Sequence, residues 1–251
     1  MFFDKLFSAS FIRKVFAGLT GAVLALTLSV GSPAFASVTA KKNSDKQVHR
    51  VESPLNIAIL IQDDLVSSVA NEIGVTADFI QSLPQGSRVM VGYITSGALQ
   101  VRQPFTTDLN SAAHSLRVPY SSTATSPYNP YVEVIEAIRK FDSGWNERNA
   151  ILLISDGLDV SRGFDATAAG NTLDLHRATR EASKRNIAIY SFYAPSVGLT
   201  SHNYLAASYG QSSLNRISNE TGGRAFFQGT TGFVTFDPYF NQLRKALNEK
   251  S

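Results

Sequence analysis

Residues 150–157 read AILLISDG, an unbroken apolar run followed by a hydroxyl, an acid and a glycine. A strand apolar at every position is one buried on both faces, as in a parallel sheet. The switch to Ser155-Asp156-Gly157 puts polar groups just past the carboxyl end of that strand. Residues 55–61 (LNIAILI), 89–95 (VMVGYIT) and 187–194 (IAIYSFYA) share this character. Residues 99–103 follow the second of these across Ser96-Gly97 and read as a hairpin edge strand. Residues 224–228 (RAFFQ) are expected to form a sixth strand.

Helical patterns fill the intervals. Val66, Val69, Ile73, Ile80 and Leu83 recur at three- and four-residue steps and their multiples, and Pro84 ends the run. Asp108 is placed to cap a short helix through Leu116. Asn129-Pro130 opens another, with Val132, Ile135 and Phe141 on one side. Leu175, Ala178 and Ala182 stripe the next, and Leu214 and Ile217 mark a fifth that stops at Gly222-Gly223. Asp237-Pro238 starts the last, with Phe240, Leu243 and Leu247 buried. Strands alternating with helices predict an α/β fold: a doubly wound, Rossmann-like, mainly parallel sheet of about six strands with helices on both faces. Ligands of such folds sit beyond the carboxyl ends of the strands, where the strand order reverses.

The amino-terminal part reads as an export signal. Lys5, Arg13 and Lys14 precede the apolar stretch 15–30, then Gly31-Ser32-Pro33 and Ala34-Phe35-Ala36, an A-x-A cleavage site. We therefore expect a signal peptide over 1–36, a flexible basic linker over 37–53 and a folded domain over 54–251. The expected location is exported, periplasmic or secreted, with no stable membrane span after cleavage. The chain has no cysteine, which excludes disulfides, a lipid-anchored cysteine and thiolate metal sites. Its net charge is +3, and three of its basic residues fall in the leader, so the domain has no basic footprint for nucleic acid.

Hydroxyls and carboxylates gather at the expected strand ends: 62–68 (QDDLVSS), 155–159 (SDGLD) and the loop 121–128 (SSTATSPY). Oxygen donors from three loops, with few carboxylates among them, suit a hard divalent cation such as Mg²⁺. Here the chain resembles the von Willebrand factor A domains. Their metal-ion-dependent adhesion site uses Asp-x-Ser-x-Ser after the first strand, a Thr in a later loop and an Asp after the fourth strand. The similarity is greatest to exported bacterial proteins of this type, through residues 60–64, Phe105-Thr106-Thr107-Asp108, Tyr193-Ala194-Pro195 and Thr221-Gly222-Gly223. The resemblance implies a metal set of Asp63, Ser67, Ser126 and Asp156, holding Mg²⁺, Mn²⁺ or Ca²⁺. The set is partial, because Leu65 stands at the second position; Asp64 is a substitute, and Thr125 competes with Ser126. One residue earlier, Gln62 replaces the Asp and Val66 the last Ser; the later register keeps two of the three ligands. The alternative for all these residues is that they cap helices and close turns.

The implied function is non-catalytic recognition of a protein or peptide, whose acidic side chain would complete the cation's shell. A hydrolase using the strand-end carboxylates and a ligand-free subunit of a cell-envelope assembly are the alternatives. No Gly-x-Ser-x-Gly elbow, zinc-type histidine spacing or glycine-rich phosphate loop supports an enzyme. Residues 195–209 read as a long loop whose Tyr204 and Tyr209, with Tyr120, Tyr128 and Tyr131, either anchor a partner or pack inward.

Overall fold

The computed structural model describes residues 50–127, 129–142, 148–164, 172–227 and 234–249. All fall within one compact unit, Lys46–Ser251. The leader, its cleavage site, nearly all of the linker, Tyr128 and Gln228 lie outside the described residues.

Six strands form one sheet: β1 (Leu55–Gln62), β2 (Arg88–Thr95), β3 (Ala98–Thr106), β4 (Arg148–Ser155), β5 (Ile187–Tyr193) and β6 (Ala225–Phe226). Their order is β3-β2-β1-β4-β5-β6. All neighbours are parallel except β2 and β3, which form the expected hairpin. Among the described residues six α-helices flank the sheet: α1 (Ile73–Gln81), α2 (Leu109–His114), α3 (Pro130–Ile138), α4 (Leu173–Lys184), α5 (Tyr204–Glu220) and α6 (Asp237–Asn248).

The strand period of two explains the layers. Ile57, Ile59 and Ile61 of β1 face one core with Phe79, Phe236 and Phe240. Ala58 and Leu60 face the other, with Tyr131, Val134, Leu175 and Leu214. Both faces are covered, so the central strands are apolar throughout.

Local chemistry sets the helix starts. The side chains of Asp108, Asn129, Thr172 and Asn203 each accept a backbone N–H of the opening turn of α2, α3, α4 and α5. Three expectations need correcting. Residues 67–72 form a 3-10 turn rather than the start of α1. The loop after β5 ends at Asn203, shorter than expected, because Asn203 caps α5 and the helix takes in Tyr204 and Tyr209. On α3, which opens at Asn129-Pro130 as expected, Ile135 and, just beyond the helix, Phe141 are buried, but Val132 points outward and Tyr131, Val134 and Ile138 complete the inward face.

Candidate functional site

Strand order reverses between β1 and β4, since β2 leads outward on one side and β5 on the other. The crevice beyond their carboxyl ends is where such a fold presents a ligand. One cluster occupies it and a second lies at its lip; Asp63 and Asp64, neighbours in sequence, belong to different ones.

The side chains of Gln62 and Asp64 meet the end of β4. Gln62 Oε1 accepts from Ser155 Oγ at 2.5 Å and from the Asp156 backbone N–H at 3.2 Å. Gln62 Nε2 donates to Asp64 Oδ1 at 2.7 Å, and Ser126 Oγ donates to Asp64 Oδ2. Asp156 Oδ1 accepts from the Leu158 N–H at 3.1 Å, and its Oδ2 from Thr200 Oγ1 at 3.1 Å. The Tyr193 phenol is buried beside Thr200, close enough to feel the Asp156 charge. Burial and the neighbouring Asp64 charge push the Asp156 carboxyl up to about 6. Burial also raises Asp64, against the hydrogen bonds from Ser126 and Gln62. Two buried carboxylates thus feel each other's charge, and among the described residues no cation pairs with either (Arg117 holds Asp63 instead), so each resists ionising.

Asp63 turns the other way. Its oxygens receive both arms of the Arg117 guanidinium, at 2.6 and 2.8 Å, and Oδ1 also accepts the Tyr120 N–H at 3.1 Å. Arg117 is sandwiched by Tyr93 at 3.9 Å and Tyr120 at 4.1 Å from the ring centroids. Tyr93 fixes the same loop: its hydroxyl donates to the Arg117 carbonyl at 2.5 Å and accepts the Arg117 N–H at 2.7 Å. The hydrogen bond to Asp63 is the main reason that Arg117 holds its proton more tightly than usual.

Of the four residues expected to bind metal, Ser126 and Asp156 therefore come together around Asp64. Asp63 is held by Arg117, and Ser67 lies exposed on the 3-10 turn. The reason is register. Side chains two apart share a face, so Gln62 and Asp64 reach the crevice while the Asp63 side chain points away from it. Leu65 is bridged to Ser196, and the Asp64 carbonyl accepts the Val197 N–H at 2.8 Å. Gln62, Thr200, Ser196 and Arg117 stand outside the expected metal set. Gln62 and Asp64 answer to the register one residue earlier.

The donor chemistry fits a hard cation. Asp64, Asp156, Ser126 and Thr200 offer only oxygen. Among the described residues no three His, Cys, Asp or Glu side chains form a cluster, so hydroxyls would supply much of any shell. The rim is more apolar. Val118, Tyr120, Tyr204 and Leu205 are exposed around this end, Tyr120 by 64% and Tyr204 by 74%. Tyr131 packs inward, and its hydroxyl donates to the Gly157 carbonyl at 2.7 Å. The 117–126 loop meets the 194–203 loop where Gly198 approaches the Thr123 methyl.

Sheet order, two-sided helical cover and the strand-end crevice are those of a doubly wound α/β fold of the von Willebrand factor A type. Solved structures share the fold. An aerotolerance-related membrane protein from Bacteroides fragilis matches with a TM-score of 0.53 at 13% identity, over 79% of this chain and 100% of that one. The conserved hypothetical protein BatB from Bacteroides thetaiotaomicron matches with a TM-score of 0.53 at 13% identity, over 80% of this chain and 100% of that one. The SpRpn10 VWA domain matches at 15% identity with a TM-score of 0.47, over 79% and 96%. No family model matches the sequence, and no curated protein does.

Proposed function

We propose that the domain is an exported, non-catalytic recognition module that binds a protein or peptide at the carboxyl ends of its strands. One observation carries this reading. Among the described residues the large apolar side chains left exposed are Val118, Tyr120, Val132, Leu173, Tyr204, Leu205 and Phe227. All belong to loops or opening helical turns at that end of the sheet. Exposed aromatics around a polar centre are the composition of a protein-binding patch.

Within this reading Asp64, Asp156 and Ser126, with Thr200 behind Asp156, hold a divalent cation such as Mg²⁺. The bound ion would supply attraction for an acidic side chain of the partner. The chain's own residues supply the rest: Gln62 orients Asp64 and the end of β4, and Arg117 neutralises Asp63.

A hydrolase has less support. The Ser126 and Ser155 hydroxyls donate to Asp64 and Gln62 rather than to an imidazole. His202 does meet Ser201 at 2.6 Å, but these are exposed sequence neighbours without an acid behind them.

The test is affinity capture from a cell-envelope extract, with and without EDTA, using the parent protein and a Tyr120→Ser/Tyr204→Ser variant. The reading expects a specific partner, lost at least tenfold in the variant and weakened by EDTA. Equal capture by parent and variant would refute it.

A further inference from the structure

At the opposite end of the sheet, where β1, β4 and β5 begin, lies a cavity of about 160 Å³. An eight-residue strand separates it from the strand-end crevice, a distance of about 25 Å. Its wall includes Leu55, Arg148, Asn186, Ala188, Tyr190 and Leu247. The lining is therefore mixed: aliphatic on one part, with a guanidinium, an amide and a phenol on the other.

The polar groups are not used up by the fold. Arg148 forms no ion pair with a described residue. Its Nη2 donates to the Leu247 carbonyl, while Nη1 is shut from solvent and has no acceptor among the described residues. Arg148 itself lines the cavity. The Tyr190 hydroxyl makes no hydrogen bond to another described residue. The positive charges of Arg148 and Arg224 act on it, with Glu249 as the opposing acid. Burial makes Arg148 give up its proton more readily than a free arginine, with no carboxylate to offset it. A charged donor left unmatched beside a cavity is what an anionic ligand would satisfy.

We propose that this cavity is a binding site for a small organic monocarboxylate. Its planar carboxylate meets Arg148 and the Tyr190 hydroxyl, and its short apolar part lies against Leu55, Ala188 and Leu247. The guanidinium fork matches a planar carboxylate, and the volume admits a molecule about the size of benzene. The site is independent of the strand-end reading, and either can fail alone.

The test is a two-dimensional ¹H–¹⁵N NMR titration of the purified protein with propionate, benzoate and inorganic phosphate. The proposal expects saturable shifts from a carboxylate, confined to residues 148–150 and 186–190. Arg148→Gln should weaken binding at least tenfold, and Tyr190→Phe, which removes one hydroxyl and keeps the ring, several-fold. Absence of saturation with either carboxylate, saturation by phosphate alone, or unchanged affinity in Arg148→Gln would overturn it. Should Arg148→Gln fail to fold, Tyr190→Phe decides: unchanged affinity there overturns the proposal.

Discussion

Arg117 closes on Asp63 with both arms of its guanidinium, Nη1 2.6 Å from Oδ1 and Nη2 2.8 Å from Oδ2. The Asp63 side chain is fully buried and that of Arg117 is 17% exposed. The pair sits between two tyrosine rings at the lip of the crevice, so it fixes the 117–121 loop rather than offering Asp63 to a ligand.

Breaking that pair leaves a buried charge without a partner, which costs about 3–5 kcal/mol. Asp63→Asn and Arg117→Leu should each lower stability by that order in urea denaturation. Arg117→Lys should recover less than half, because lysine keeps the charge but loses the fork and the stacking. A loss under about 1 kcal/mol for Arg117→Leu would mean the loop is held by other contacts.

Gly210 of α5 lies against the end of β4, where an added Cβ would stand 1.9 Å from the Asp156 carbonyl oxygen. No side chain can occupy that space without moving the backbone. Gly210→Ala should therefore lower the melting temperature by more than 10 °C, a helix-favouring change that destabilises. Crystals or amide shifts of the variant should show Asp156 displaced; an unchanged melting temperature would contradict the close approach.

Glu133 on α3 is buried, and its Oε2 has no partner. Burial, with repulsion from Glu136, raises its carboxyl to about 7 from the ordinary 4.5. The folded state thus binds the proton more tightly than the unfolded chain. This contribution to stability is present below about pH 4.5 and is lost as the pH rises through about 7. Glu133→Gln should be more stable than the parent above pH 7, by at most about 3 kcal/mol before screening by nearby water. The advantage should vanish at pH 4.5. Parallel stability curves for parent and variant from pH 4 to 8 would rule out the shift.

Much of the fold was legible because burial on both faces writes itself as apolar runs. Five of the six strands overlap their runs closely, and the caps at Asp108 and Asn129 sit where their chemistry placed them. Helix α5 was legible only in its second half. Its first turns carry exposed Tyr204 and Leu205, so the inward stripe starts at Ala206 and Ala207, too small to stand out. The site was half legible. Asp156 and Ser126 were reachable from residue type and position, but the register after β1 was not. Counting ligands favoured Asp63 and Ser67, whereas the pleat directs Gln62 and Asp64 into the crevice. Arg117 lies 54 residues from Asp63, and no local spacing in the sequence joins the two.

If Asp64 and Asp156, rather than Asp63 and Ser67, hold the cation, isothermal titration of Mg²⁺ and Mn²⁺ should show saturable binding to the parent and to Ser67→Ala, and none to Asp64→Asn. No binding to the parent, or binding lost in Ser67→Ala and kept in Asp64→Asn, would rule that site out.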